Sequence, residues 1–193
     1  MIAIAKSPLS SAPTKHRFTV EQYYKMAEVG ILGIEERTEL IEGEITEMSP
    51  IGAKHAGSIN RLNRRFSAIV NNQAIIAVQN SISLNDYSEP QPDLAILHWR
   101  EDFYTQSLPN PSEIFLLIEV ADSTIKYDRE VKAPLYAKAG IPELWIVNLE
   151  AQVFEVYRQP SETGYQQMQI YTKGQTVQLE QLPNVEIEID FVF

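Results

Sequence analysis

The sequence predicts one α/β domain that ends in a set of antiparallel strands. Composition supports a single core, because the 193 residues are 44% hydrophobic and 22% charged, which is ordinary for a soluble domain of this length. Two stretches with helical spacing of apolar residues precede residue 74, and short apolar runs typical of strands follow it. No internal repeat or linker divides the chain.

The N-terminal residues 1–16 are rich in Ser, Pro and Lys and predict a flexible arm, which leaves residues 17–193 as the single domain. They contain no secretory hydrophobic segment, and no apolar run approaches the roughly 20 residues that span a bilayer. We therefore expect a cytoplasmic protein without membrane association. Cysteine is absent, which excludes disulfides, thiolate zinc sites and a cysteine nucleophile.

Three helices are predicted. The first follows a capping box formed by Thr19 and Gln22. The second covers about residues 53–72, where apolar residues recur at intervals of three and four. The third covers residues 128–139 and is followed by Gly140, a residue typical of helix ends.

Strands account for most of the remaining chain. The segment ELIEGEITEM (39–48) predicts two short strands that fold back at Glu42-Gly43. Residues 99–113 are polar and interrupted by proline, which predicts a surface loop. Continuous apolar runs elsewhere predict strands that are buried on both faces. The further predicted strands are 75–79, 81–84, 92–97, 114–121, 143–148 and 153–158, with short strands from residue 165 onward.

Two carboxylates are the first candidates for chemistry. Asp93 follows Pro92 at the start of an apolar strand, where a turn-capping role is more common than ligand binding. Glu119 lies inside the apolar segment FLLIEVA, where an unpaired charge costs several kcal/mol. Glu119 therefore predicts either a buried salt bridge or a metal ligand.

Other charged residues are more ambiguous. Asp128, Lys132 and Tyr136 recur every four residues on the third predicted helix and share one face. Spacing alone favours a solvated lysine that pairs with Asp128. In the first hairpin, alternation leaves the faces of Glu39 and Glu44 open, and each is individually typical of a solvated acid.

The formal net charge of −10 argues against loose binding of nucleic acid by the surface as a whole. The second helix is an exception, because no acidic residue occurs between Met48 and Asn85. This basic stretch fits a phosphate backbone, the protein's own acids or a second subunit. Its candidate nucleic-acid contacts are Lys54, His55, Arg61, Arg64 and Arg65.

Four stretches between residues 18 and 158 together resemble one known family. They are ELIEGEITEMSPIGAKH (39–55), QPDLAIL (91–97), LLIEVADST (116–124) and YDREVKAPLYAKAGIPELWIVN (127–148). The sequence resembles the Uma family of restriction endonucleases, long described only as a domain of unknown function, in the PD-(D/E)XK nuclease superfamily. The resemblance implies a restriction-endonuclease-like core, in which helices flank a mixed central sheet, with antiparallel strands added at the C-terminus.

The resemblance also implies roles for individual residues. Asp93 matches the Pro-Asp acid of the superfamily signature and Glu119 matches the second acid; together they would hold Mg²⁺, with Mn²⁺ as a substitute. Ala121 stands where the signature has lysine, and Lys132 on the helix matches its replacement. Glu44 matches an acidic position after the first turn. The implied site thus comprises catalytic Asp93, Glu119, Lys132 and Glu44, with Asp128 and Tyr136 in support.

This assignment implies Mg²⁺-dependent cleavage of DNA phosphodiester bonds, by a homodimer if both strands are cut. Two other readings fit the residues. A protein of the same fold could bind nucleic acid or protein without cutting, which suits the net charge of −10 and the lack of a separate recognition module. Alternatively, Glu119 and Lys132 could form a buried ion pair in a structural oligomer.

Overall fold

A six-stranded mixed sheet forms the centre of the computed structural model, which describes residues 15–33 and 36–193. Residues 1–14 of the predicted arm lie outside the described residues. The helices are α1 (Val20–Glu28), α2 (Ala53–Val70) and α3 (125–138). The strands are β1 (Thr38–Ile41), β2 (Glu44–Glu47), β3 (Ala74–Val78), β4 (Leu94–His98), β5 (Ile114–Ala121), β6 (Glu143–Asn148), β7 (Val153–Arg158), β8 (Gln167–Tyr171), β9 (Thr176–Gln178) and β10 (Glu186–Glu188).

The central sheet runs in the order β3-β4-β5-β6-β7-β8. Only β5 and β6 pair in parallel, and the other neighbours are antiparallel. Because a parallel pair needs a crossover, α3 connects these two strands. The β1-β2 hairpin and the β9-β10 pair form two small separate sheets. The predicted α/β class, the mixed sheet and the C-terminal antiparallel strands are therefore confirmed.

Both faces of the central sheet are covered, and each has its own apolar core. Successive side chains of β5 alternate between the faces. Leu116 and Ile118 pack with residues of α2 and the C-terminal segment, whereas Leu117 and Ala121 pack on the face that also receives α3. Glu119 lies between the latter two and therefore shares the face covered by α3.

Two predicted elements differ from the structure. Residues 81–84 are not a strand, although Ile82 is fully buried, because the segment bonds to loops: Ile82 N–H donates to the Pro90 carbonyl and Ser83 N–H to that of Pro109. The third helix begins at Ile125 rather than at residue 128. It comprises an α turn (Ile125–Tyr127), a π turn (Asp128–Lys132) and a second α segment (Ala133–Lys138).

The remaining boundaries follow the sequence patterns closely. The first hairpin turns at Glu42 and Gly43, and both have positive φ, as tight hairpin turns require. The capping box of Thr19 and Gln22 starts α1. Within the described residues, no helix is long and apolar enough to cross a membrane.

Candidate active site

A half-open cleft of about 350 Å³ lies where β4 begins and β5 ends. Its lining includes residues of β1, of β2 and the segment after it, of the end of β5, of α3 and of the start of α2, together with Asp93 immediately before β4. The register that pairs Leu94 with Ile118 continues beyond the ladder and sets Asp93 beside Glu119. The antiparallel pairing of β4 and β5 thus brings together two acids that are distant in sequence.

Asp93 is held by hydrogen bonds to both carboxylate oxygens. Its Oδ2 accepts from the Val120 N–H at 2.8 Å and contacts His55 Nε2 at 3.0 Å. Its Oδ1 accepts from Gln79 Nε2 at 3.2 Å. Three donors from different segments therefore fix the orientation of this carboxylate, and the side chain is 11% exposed.

Lys132 lies between two buried acids. Its Nζ is 3.2 Å from Glu119 Oε1 and 3.3 Å from Glu39 Oε2. Tyr136, one turn further along α3, donates its hydroxyl to the same Glu119 oxygen at 2.6 Å. Glu39 Oε2 also accepts the N–H of Gln91 at 3.2 Å. The Lys132 ammonium therefore pairs with Glu119 of the central sheet and with Glu39 of the hairpin.

Burial changes the proton affinities in this cluster. Desolvation raises the pKa of Glu119 to about 8, against the opposing effect of Lys132 and with added repulsion from Asp128 and Asp93. Desolvation would lower the pKa of Lys132, but Glu119 and Glu39 outweigh it and the net change is upward. The ammonium is therefore charged, and the carboxylates around it are crowded.

Two further groups stand close to these acids. Desolvation raises the pKa of Asp128 to about 6, although Thr124 donates to its Oδ2 at 2.7 Å. The hydrogen bond to Asp93 raises the pKa of His55 in spite of burial. Among the described residues, His55 Nδ1 has no hydrogen-bond partner. His55 therefore lies in the cleft at the start of α2, and its role as a nucleic-acid contact stays a prediction.

The other basic residues of α2 lie outside the cleft, along the surface of the helix. Lys54, Arg61 and Arg64 are exposed and Arg65 is partly exposed. Arg61 Nη1 donates to the Val192 carbonyl at 2.9 Å, so one of the predicted nucleic-acid contacts also ties the C-terminal segment to the helix. Lys54 is next to His55 and thus lies nearest to the mouth of the cleft.

The structure does not bring Glu44 to the cluster. Glu44 is exposed and pairs with Lys15 at 3.0 Å, whereas Glu39 is 3% exposed and contacts Lys132. The hairpin therefore contributes a different acid from the one that the family resemblance implied. Gln79 was also missed, because a glutamine after a short strand carries no chemical signature of its own.

The carboxylates of the cleft are oxygen donors that suit a hard divalent cation. Within residues 15–33 and 36–193, no group of three or more His, Cys, Asp or Glu side chains is arranged to hold a metal. Mg²⁺ needs fewer protein ligands, since one or two carboxylates with waters and phosphate oxygens usually suffice. The oxygen donors of Asp93 and Glu119 meet that requirement. Around them, the cleft buries four carboxylates against one ammonium: Glu39, Asp93, Glu119 and Asp128 against Lys132.

Comparison with known proteins agrees with this architecture. Residues 20–190 match the Uma2 family, which is described as a putative restriction endonuclease. Among solved structures, the chain is similar to a putative nuclease belonging to DUF820 from Anabaena variabilis, with a TM-score of 0.73 and 18% identity over 91% of this chain and 97% of that one. At this identity the similarity shows a shared fold. No curated protein matches the sequence. The predicted family and fold class are confirmed.

Proposed function

The chain belongs to the Uma2 family of putative restriction endonucleases, and from this premise we propose that it is a Mg²⁺-dependent endonuclease that hydrolyses DNA phosphodiester bonds. Membership of the family supports a nuclease function. The observation that carries the proposal is the convergence of Asp93, Glu119 and Lys132 from three elements into one cleft. Two acids and a lysine at such a point are the parts that metal-assisted hydrolysis requires.

Asp93 and Glu119 would hold the cation, with Mn²⁺ as a substitute for Mg²⁺. When bound, the cation supplies Lewis-acid activation of water and of the phosphate. The donors on Asp93 support this assignment because they fix its orientation in advance, and Tyr136 does the same for Glu119. Such preorganisation lowers the reorganisation needed when the substrate binds.

Hydrolysis forms a bond between a water oxygen and phosphorus and breaks the bond from phosphorus to one bridging oxygen. The phosphate gains negative charge as this happens, and the departing oxygen must receive a proton. We assign Lys132 to stabilise that charge, since its ammonium is a hydrogen-bond donor already held at the floor of the cleft. Glu39 would keep the ammonium in position from the opposite side.

The substrate assignment rests on the basic surface of α2. Lys54, Arg61, Arg64 and Arg65 lie on one helix that starts at the cleft, and phosphate contacts of this kind supply most of the affinity for nucleic acid. A homodimer would bring two such clefts to a substrate, as cutting both strands requires. Dimerisation stays a prediction.

A second reading is favoured by one observation, the buried ion pair itself. Lys132 and Glu119 are both less than 5% exposed and satisfy each other at 3.2 Å, as in a purely structural salt bridge. This ion pair alone would suit a structural oligomer, or a non-catalytic protein that binds nucleic acid or protein. That reading does not account for Asp93, which has no cationic Lys or Arg partner among the described residues and contacts only His55 as an ion pair.

The decisive assay compares cleavage and nicking of supercoiled and linear DNA with Mg²⁺ or Mn²⁺ for the wild type, Asp93→Ala and Lys132→Ala. Lys138→Ala is the matched control, because Lys138 is an exposed lysine on the same helix. We expect the first two variants to lose at least about 100-fold in rate, as when a group that stabilises the transition state is removed. Lys138→Ala should cleave like the wild type.

Calorimetric titration with Mn²⁺ runs beside the cleavage assay. We expect the wild type to bind the metal and Asp93→Ala to lose that binding. Absence of both cleavage and metal binding in the wild type would overturn the proposal in favour of a non-catalytic role. Cleavage that survives in Asp93→Ala would show that the chemistry lies elsewhere in the molecule.

A further inference from the structure

The reactive groups of the cleft lie deep, which restricts what can reach them. The side chains of Asp93, Glu119 and Lys132 are 11%, 4% and 5% exposed, at the floor of a cleft of about 350 Å³. A DNA duplex is stiff over about 150 base pairs, and sharp local bending costs several kcal/mol. A single strand has no such stiffness, so one of its phosphates can enter a narrow cleft without deforming a double helix.

The charges of the cleft disfavour a dense polyanion. Among the described residues that line the cleft, the exposed charged side chains are Arg37, Glu47 and Asp122, and Lys54 beside the mouth balances them. The net charge that a substrate meets is therefore negative and is set by the four buried acids around Lys132. A duplex carries about one charge per 1.7 Å of its axis, twice the density of one strand. The cleft therefore repels a duplex more strongly than a single strand.

The rim also offers an apolar contact. The segment 48–52 between β2 and α2 lines the cleft with Met48, Pro50 and Ile51, and Ile51 is 42% exposed. In a duplex the base faces are stacked against each other, and an approaching protein meets phosphates and base edges. In an unpaired strand the base faces are free to lie against apolar side chains. Ile51 at the mouth of a polar cleft thus suits an unpaired strand.

The basic residues of α2 form a single row. Lys54, Arg61 and Arg65 are separated by seven and four residues, which places them within a narrow arc of the helix. At about 1.5 Å per residue the row extends roughly 16 Å from the mouth of the cleft. A row this narrow can contact the phosphates of one nucleic-acid strand.

Building on the proposed nuclease function, we propose that the cleft takes an unpaired DNA strand, either single-stranded DNA or the unpaired tail of a duplex, in preference to a paired backbone. The strand enters over Ile51 with one phosphate at the cation that Asp93 and Glu119 would hold, and its flanking phosphates follow the row on α2. Each cleft then acts on one strand, whether or not the chain dimerises.

The test uses three DNA substrates of one sequence: the single strand, the blunt duplex and a duplex with an unpaired tail. With Mg²⁺ we expect the single strand to be cut at least tenfold faster than the blunt duplex, and cuts in the tailed duplex to map to the tail. Cleavage of the blunt duplex at an equal or higher rate would overturn the inference and leave the nuclease proposal intact.

Binding is measured separately, so that the inference can be decided even if no substrate is cut. Fluorescence anisotropy in EDTA, with the wild type and with Asp93→Asn, should give at least tenfold tighter binding of the single strand than of the duplex. Equal affinity would overturn the inference. Ile51→Ser should weaken single-strand binding at least about threefold through loss of apolar contact. Val29→Ser is its control, since Val29 is 67% exposed and lies outside the cleft.

Discussion

The ammonium of Lys132 illustrates how one residue connects the stability of this protein to its proposed chemistry. It is buried between Glu39 and Glu119, with contacts of 3.3 and 3.2 Å. Burying an ammonium is unfavourable by several kcal/mol unless its partners are well placed. Glu39 also accepts from the backbone of Gln91, two residues before Asp93. Under the proposed function, Glu39 would be a positioning residue that holds the lysine ammonium on the side of the cleft that contains Asp93 and Glu119.

The two glutamates of the first hairpin give a matched comparison. Glu39→Gln leaves Lys132 with one carboxylate, so we expect the free energy of unfolding to fall by about 1–2 kcal/mol. We also expect kcat for cleavage to fall at least tenfold, with KM little changed. Glu44→Gln removes a surface pair with Lys15 and should change stability by less than about 0.5 kcal/mol. Chemical denaturation and cleavage kinetics measure both. A larger effect at Glu44 would show that the resemblance, and not the structure, identifies the relevant acid.

Glu39 and Glu44 also show which part of the site could not be predicted from the sequence. From the residues alone, Asp93 is more typical of a turn cap and Lys132 of a solvated lysine, and only Glu119 requires a partner or a ligand. The family resemblance selects all three, and the structure brings them together in one cleft. Glu39 and Glu44 have similar local surroundings in the sequence. Their difference arises from the way the hairpin docks, through the bridge from Leu40 to Glu89 and the contact with Gln91. No local pattern encodes such docking.

At the scale of elements, α3 owes its irregular shape to a proline. Pro134 has no N–H, so it cannot donate the bond that an α-helix would make at that position. The preceding residues form a π turn, Asp128–Lys132, and the Ala133 N–H reaches back five residues to the Asp128 carbonyl. Lys132 is the last residue of this turn and lines the cleft, and π turns often occur at functional sites. The sequence predicted the helix but not this turn, since apolar spacing does not distinguish the two.

Helix α1 is attached by a different kind of contact. None of its residues is buried, although its capping box forms as predicted. It is instead tied down by tyrosine hydroxyls: Tyr23 donates to the Thr38 carbonyl at 2.9 Å, and Tyr24 donates to Glu89. Burial raises the pKa of Glu89, and the bond from Tyr24 opposes this rise. The helix therefore docks on a buried acid that has no cationic partner among the described residues.

The sign of the resulting pH dependence follows from linkage. A carboxyl whose pKa is higher in the folded state stabilises the fold at low pH, and that contribution is lost as the pH rises through its folded pKa. The side chain introduced by Glu89→Gln cannot ionise and can still accept from Tyr24. The unfolding free energy of this variant should therefore increase relative to the wild type as the pH rises above the ordinary pKa of a glutamate, about 4.5. Tyr24→Phe removes the donor and should show the opposite trend. Denaturant titrations at several pH values measure this, and parallel curves for all three proteins would contradict it.

Across the whole molecule, the cleft is assembled from parts that are far apart in the chain. Residues from β1, β2, α2, β5 and α3 line it, together with Asp93 immediately before β4. Their meeting depends on the antiparallel register of β4 with β5 and on the parallel crossover through α3. The apolar runs predicted most of these elements. The mixed sheet was implied by the family resemblance, whereas the order of its strands was not predicted, because spacing patterns within one element carry no information about its neighbours.

The excess of buried acid in the cleft leads to a prediction about the stability of the whole protein. At a concentration ten times its Kd, Mg²⁺ should stabilise the wild type by about 1.4 kcal/mol, which corresponds to a Tm increase of roughly 3–6 °C at this chain length. Asp93→Asn and Glu119→Gln should show no such increase when compared in NaCl of equal ionic strength. Their metal-free Tm should be close to that of the wild type or higher, because each removes one of several crowded carboxylates.

The same thermal measurement distinguishes a metal site from a purely structural ion pair. If Glu119 only paired with Lys132, Glu119→Gln would destabilise the protein by about 3 kcal/mol or more, with or without Mg²⁺. If Glu119 belongs to a cation site, its carboxylate is crowded by Asp93 and Asp128 when no cation is bound, so neutralising Glu119 relieves repulsion and costs little stability without Mg²⁺. Differential scanning calorimetry of the wild type and Glu119→Gln, each with and without Mg²⁺, therefore separates the two readings without relying on cleavage. A large loss of Tm in the variant that is independent of Mg²⁺ would favour the structural role, whereas a Mg²⁺ response confined to the wild type is the result that a nuclease site requires.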